Sequence, residues 1–179
     1  MGIPPGSHTL GPDNARLTVQ TTKAGAASKA GHNLRMEVGS WQATVSNADG
    51  AQPQITLTAD SRSLRVLEGT GGIKGLTEDD KENISQTIDD EVLKGCPIEF
   101  RSTKVVPDGD QLQVQGELEL AGRRNPVSFS LQPDGEGRIA GSAIVKQSDW
   151  GMKPYSALFG TLKVGDEVTV VIDATLPSA

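Results

Sequence analysis

Gln111-Leu112-Gln113-Val114-Gln115-Gly116-Glu117-Leu118-Glu119-Leu120 alternates without a break, with Leu, Val or Gly at every even position and Gln or Glu at every odd one. Successive side chains on a β-strand point to opposite faces, so this run is a strand with one buried and one wet side. The same period extends outward in both directions. Downstream come Val127, Phe129 and Leu131, then Ile139, Gly141, Ala143 and Val145, and finally Val168, Val170 and Ile172. Upstream, Leu17 and Val19, then Leu34, Met36 and Val38, then Trp41, Ala43 and Val45, then Ile55 and Leu57 share faces in turn. Pro107-Asp108-Gly109 and Pro133-Asp134-Gly135 join a proline-set φ to a glycine that tolerates positive φ, which reverses the chain. About eight short strands with turn signals at regular spacing predict an antiparallel sandwich or barrel, a mainly β fold.

One segment leaves this period. Ile84, Ile88 and Val92 recur at i, i+4 and i+8, the stripe of a helix over about 77–94. Thr77 is placed to cap it, Glu78, Asp79 and Asp80 put negative charge at the positive end of its dipole, and Gly95 and Pro97 stop it. A single helix among strands would cover an end or a side of the barrel.

The 179 residues suit one domain, 1–179, with 1–7 as a flexible N-terminal extension. Lys and Arg number 17 against 23 Asp and Glu, a net charge of -6, which argues against a nucleic-acid groove because such a groove needs a concentrated positive field. Cys96 is the single cysteine, so no intrachain disulfide or cysteine-based metal site is expected. No run approaches the ~18 apolar residues of a membrane helix, and the N-terminus lacks the basic start and apolar stretch of a secretory leader. The expected compartment is therefore the cytoplasm.

Candidate chemistry is sparse. His8 lies in a Pro/Gly-rich start and is expected to be exposed, whereas His32 opens a strand, where it either fixes a turn by hydrogen bonds or touches a ligand. Cys96, between Gly95 and Pro97, has no activating partner and reads as a small buried filler. Gly69-Thr70-Gly71-Gly72 before Lys74 lacks the Gly-Lys-Ser/Thr ending of a phosphate cradle and reads as a loop between strand and helix. Arg123 and Arg124 fall at a predicted turn, as a solvated pair or as contacts to an anionic head group. With no nucleophile–base pair in view, the chain is not expected to be an enzyme.

The C-terminal third carries a more specific pattern. Gln147-Ser148-Asp149-Trp150-Gly151-Met152-Lys153-Pro154-Tyr155-Ser156 precedes Phe159-Gly160-Thr161-Leu162-Lys163-Val164-Gly165-Asp166-Glu167-Val168. Gly31-His32-Asn33, Asp90-Glu91-Val92-Leu93, Pro97-Ile98-Glu99-Phe100-Arg101-Ser102-Thr103 and Leu118-Glu119-Leu120-Ala121-Gly122 with Pro126-Val127 occur ahead of it. Taken in order, roughly over 8–175, these segments resemble the YceI-like family. Leu34 stands where one branch of that family often has a second histidine.

The resemblance implies a lipocalin-like antiparallel barrel with a helix beside it. It also implies binding, transport or storage of a polyisoprenoid or related amphiphile in an apolar interior. A barrel of about eight strands either fills with side chains or holds one small ligand, and small inward residues such as Gly116, Gly141 and Ala143 favour space. Candidates for the cavity wall are Gly116, Leu118, Leu120, Val127, Phe129, Ala143, Ile144, Trp150 and Phe159. Candidates for the polar head group are His32, Arg123, Arg124 and Tyr155. No cofactor and no metal are expected; the partner is an amphiphilic small molecule, and a homodimer is left open. The alternative is a ligand-free β-barrel serving as an interaction or stress-response module.

Overall fold

A computed structural model describes residues 3–157 and 162–176. Among these residues fourteen strands form, all paired antiparallel. The first seven are β1 (Gly6–Leu10), β2 (Ala15–Gln20), β3 (Lys23–Ala24), β4 (Asn33–Val38), β5 (Trp41–Asn47), β6 (Gln54–Ala59) and β7 (Leu64–Thr70). Helix α1 (Glu78–Thr87) follows. Then come β8 (Ile98–Asp108), β9 (Gln111–Leu120), β10 (Arg123–Pro133), β11 (Arg138–Lys146), β12 (Ser156–Ala157), β13 (Leu162–Val164) and β14 (Glu167–Thr175). Eleven make one sheet in the order β1-β5-β6-β8-β9-β10-β11-β14-β2-β4-β7, and β12, β13 and β3 form a small second one. The count exceeds the expected eight because short pairings at the ends are included, and the expected antiparallel barrel with one helix takes the form of a curled sheet, a half-barrel in which β1 and β7 do not pair.

The curl follows from connectivity. β5 is second from one edge and β4 second from the other, yet only Gly39 and Ser40 join them. In a flat sheet the two strands would lie eight spacings apart, ~38 Å, whereas a two-residue link spans at most ~11 Å. The sheet must therefore bend until its ends meet. Two hydrogen bonds hold that seam, Gly39 N–H to the Ser63 carbonyl at 3.0 Å and Asp60 N–H to the Ser40 carbonyl at 3.0 Å.

Local chemistry explains the corners. Ala121 (φ 48) and Gly122 (φ 78) form a two-residue hairpin loop between Leu120 and Arg123, the primed type whose twist matches the strands. Gly109 (φ 61) and Gly135 (φ 82) occupy the two Pro-Asp-Gly turns. Thr77 and Asp80 form a reciprocal capping box, Asp80 N–H to Thr77 Oγ1 at 3.1 Å and Thr77 N–H to Asp80 Oδ2 at 3.0 Å. The helix begins where expected, but past Thr87 it widens into a π-turn over Ile88–Leu93 before Lys94 (φ 56) and Gly95 (φ 65) end it.

The N-terminus departs from expectation. Within 1–7, Gly6 and Ser7 pair with Asn47 and Ser46, and Ile3 is buried in the main core. Its carbonyl accepts a hydrogen bond from Asn47 Nδ2. His8 is buried on the inner face of β1, not exposed, and its Nε2–H donates to the Pro4 carbonyl at 3.1 Å. The physical reason is that β1 shelters one edge of the sheet, so its alternate residues, His8 and Leu10, turn inward. Cys96 is only half-buried.

Gly116 exposes how tightly the wall is packed. A Cβ there would strike the Arg101 carbonyl and lie 2.6 Å from the Phe100 ring. Gly116→Ala is expected to cost ~1–3 kcal/mol through overpacking, a fall in Tm of about 5 °C by calorimetry. An unchanged Tm would mean that the Phe100 ring does not rest on this glycine.

Candidate functional site: the interior cavity

The curl encloses a cavity of about 730 Å³ running along the axis. Every long strand of the main sheet contributes its inward face: Leu17 and Val19 from β2, Met36 from β4, Leu57 from β6, Phe100 from β8 and Ile172 from β14 are examples. These residues are mostly medium-sized aliphatics that do not reach across the axis, so the middle stays hollow. The Phe100 and Phe129 rings, 5.5 Å apart and tilted at 55°, are the two phenylalanines of the wall among the described residues. Beyond one end, Val105, Leu112 and Val114 pack solidly without touching the cavity, and Leu10, Leu131, Ile139 and Ala174 form its floor above them.

Helix α1 and the π-turn close one side, and α1 itself buries no residue completely. Their cavity-facing residues are mixed along α1, with Asp80, Asn83, Ile84 and Thr87, and wholly apolar along the π-turn, with Ile88, Val92 and Leu93. The polar end meets Lys23, His32, Lys74 and Tyr155, which make a mouth. His32 Nε2–H donates to the Lys74 carbonyl at 2.6 Å, so it does fix a loop, as its first reading holds, while also lining the cavity. Gly72 (φ +75) leaves room for that ring, since a Cβ there would lie 2.5 Å from His32 Nε2.

Buried polar groups along the wall are satisfied by the protein. Thr21 Oγ1 accepts from Leu34 N–H at 3.3 Å, and Gln147 Nε2 donates to the Gly165 carbonyl at 3.1 Å. Gln147 opens the turn Gln147–Trp150, which Asp166 pins to the start of β14. Asp166 Oδ1 accepts from Ser148 N–H at 2.8 Å and its Oδ2 from the Ser148 hydroxyl at 2.5 Å. The Ser148 hydroxyl, ahead of the backbone N–H, holds the Asp166 carboxyl below the usual carboxylate range.

Of the wall candidates, Leu118, Leu120, Val127, Phe129 and Ala143 line the cavity, as do His32 and Tyr155 at the mouth. Several others do not. Ile144 is 66% exposed because Ala143, its neighbour in an alternating strand, already takes the inward position. Gly116 lies behind the Phe100 ring. Trp150 is buried one layer outside, its Nε1–H donating to the Leu118 carbonyl at 2.8 Å and its ring packing with Leu93, Leu120, Val145 and Met152. Arg123 and Arg124 are not in the turn but already in β10: the Arg123 guanidinium lies over Gly151, and Arg124 pairs with Glu119 at 3.2 Å. Neither reaches the cavity. Phe159 lies outside the described residues.

Most of the wall was missed, although its signal was in plain view. The faces Leu17/Val19, Leu34/Met36/Val38 and Ala43/Val45 have the same period as the C-terminal strands, and around a hollow axis every inward residue is a wall residue. Lys23 and Lys74 carry no periodic signal and could not be found this way.

A family model described as the YceI-like domain matches residues 9–176. The crystal structure of BcnA from Burkholderia cenocepacia superposes with a TM-score of 0.66 at 14% identity, covering 92% of this chain and 96% of that one. The Campylobacter jejuni YceI protein gives a TM-score of 0.56 at 14% identity over 80% of this chain and 85% of that one. A comparison with proteins of curated function finds no match. Among the described residues no helix is long and apolar enough to cross a membrane.

The Asp166 clasp makes an acid-sensitive wall. Because its folded pKa is depressed, its stabilisation is complete above the unfolded value and is lost as pH falls through the lower folded value. Asp166→Asn is therefore expected to lower Tm at neutral pH and to flatten its decline below about pH 4, read by thermal melts across pH. Parallel curves for the two proteins would contradict the role given to Asp166.

Proposed function

The chain belongs to the YceI-like family, and from that premise we propose that it binds a single amphiphilic, isoprenoid-like lipid in its interior and carries or stores it without acting on it. The observation that carries this reading is the hollow axis, about 730 Å³ walled mainly by aliphatic residues, with Lys23, His32, Lys74 and Asp80 gathered at one end. That volume falls within the ~300–1,000 Å³ typical of small-molecule sites. An extended tail suits it, because the wall offers hydrocarbon along the axis and the floor at Leu131 and Ile139 stops the tail.

The energetics are adequate. Each buried methylene contributes ~0.8 kcal/mol, so about twenty carbons give ~16 kcal/mol before the ~4–15 kcal/mol cost of association and ordering. Micromolar affinity, ~8 kcal/mol, falls inside that range. The wall's buried polar groups are already hydrogen-bonded, so a hydrocarbon displaces no partner they need.

Native mass spectrometry of the purified protein, before and after organic extraction, tests the reading. A co-purifying lipid, or one-to-one uptake of an added polyprenol or long-chain amphiphile, is expected. Ala143→Phe, which puts a ring into the cavity, should weaken uptake by about tenfold or more, whereas Ile144→Phe on the outer face should leave it unchanged. A protein that is isolated bare and takes up none of these lipids is instead the ligand-free interaction module.

A further inference from the structure

We propose that the mouth of the cavity selects an anionic head group, a phosphate or a carboxylate, held between Lys23 and Lys74. This deepens the lipid-binding reading and rests on it.

Four charged side chains besides His32 line the cavity among the described residues: Lys23, Lys74, Asp60 and Asp80. The two carboxylates are already engaged by backbone donors. Asp60 Oδ1 accepts from Arg62 N–H at 2.9 Å, capping a short helical turn, and Asp80 closes the capping box with Thr77. The Thr77 N–H and hydroxyl keep the Asp80 carboxyl below its ordinary range, and so firmly ionised and committed to the helix. Neither lysine makes an ion pair among the described residues. Asp60 lies beside the π-turn, where its neighbours Ser61 and Arg62 meet Asp89, so the charge at the mouth is two lysines against the single Asp80, a positive balance in a chain whose net charge is -6.

Geometry gathers these groups at one corner. Lys23 Nζ lies over Gly71, 2.7 Å from where a Cβ would stand, and Gly31 borders the same spot. Gly71 (φ +78) and Gly72 (φ +75) turn the chain sharply so that it passes under Lys23 and His32 and delivers Lys74. The His32 bond to the Lys74 carbonyl then holds that loop in place. Lys23 is half-buried at the cavity rim, where its ammonium is less screened than on open surface and a charge-assisted hydrogen bond is worth more. A neutral head would leave this ammonium with water alone, whereas an anion would pair with it. The polar residues at the N-terminal half of α1 lie at the same end, so the tail of a bound amphiphile points away from the lysines and into the aliphatic bore.

The test compares matched pairs on the extracted protein: palmitate against hexadecanol, and farnesyl monophosphate against farnesol, by isothermal titration. Each anion is expected to bind about tenfold or more tightly than its alcohol, and Lys23→Gln/Lys74→Gln is expected to shrink that margin to about threefold or less while leaving the alcohols unchanged. The larger of the two margins identifies whether phosphate or carboxylate is the better fit. Both lysines have solvent-reaching side chains, and an unchanged Tm of the double variant verifies the fold. Alcohols that bind as tightly as their anions, or a margin that survives the double substitution, would overturn the head-group assignment while leaving the cavity reading intact. Failure of all four probes to bind would sink the cavity reading and the assignment together.

Discussion

Two residues, Gly39 and Ser40, connect strands that stand near opposite ends of an eleven-strand ladder, and nearly everything else follows from that short tether. It obliges the sheet to bend around on itself. Once bent, each strand's inward face points at a shared axis, and the side chains there decide between a filled core and an empty one. Toward the floor they interlock, with Val105 and Val114 wholly buried. Along the rest of the axis they stop short of one another. The seam carries two backbone hydrogen bonds at the tether, and beyond it α1 packs beside β7 as a shutter.

The shutter gives the cavity its polarity. A helix contributing only strands' worth of aliphatics would leave a bore that is greasy throughout. Here the capping box at Thr77 and Asp80 sets the helix start at the mouth, and the π-turn at the other end swings Ile88, Val92 and Leu93 over the bore. One short element thus brings Asp80 and Asn83 to one end of the bore and an apolar turn to its side.

Much of the fold could be read from period-two patterning because β2, β4, β5, β6, β9, β10, β11 and β14 keep their phase. Where the phase breaks, reading failed for a physical reason. In β8 the pairing with β9 slips between Ser102 and Lys104, so the buried residues pass from even-numbered Phe100 to odd-numbered Val105. In β7 a similar slip opposite Arg35 and Met36 puts Val66 and Leu67 side by side, and no alternation survives. β1 hides in a Pro/Gly-rich start whose inward pair, His8 and Leu10, is too short to register. At the site, the adjacent choices Ala143 and Ile144 could not both face inward, and only the strand's register decides between them. Arg123 and Arg124 belong to β10 and not to the mouth because the hairpin turns at Ala121 and Gly122, one step earlier, which leaves Arg123 over Gly151 and Arg124 beside Glu119. Lys23 and Lys74 are 51 positions apart in sequence, and both reach the cavity lining because the pairing of β4 with β7 brings Gly71 beneath Lys23.

The central assertion is that the bore is a real void, kept open by walls too short to meet. A high-resolution crystal structure of the lipid-extracted protein addresses it most directly, with the electron density between Leu57, Phe129 and Ile172 as the observable. The account predicts that these side chains remain apart, with the axis vacant or holding an elongated molecule. Side chains from opposite walls in van der Waals contact across the axis, with no channel between them, would contradict it.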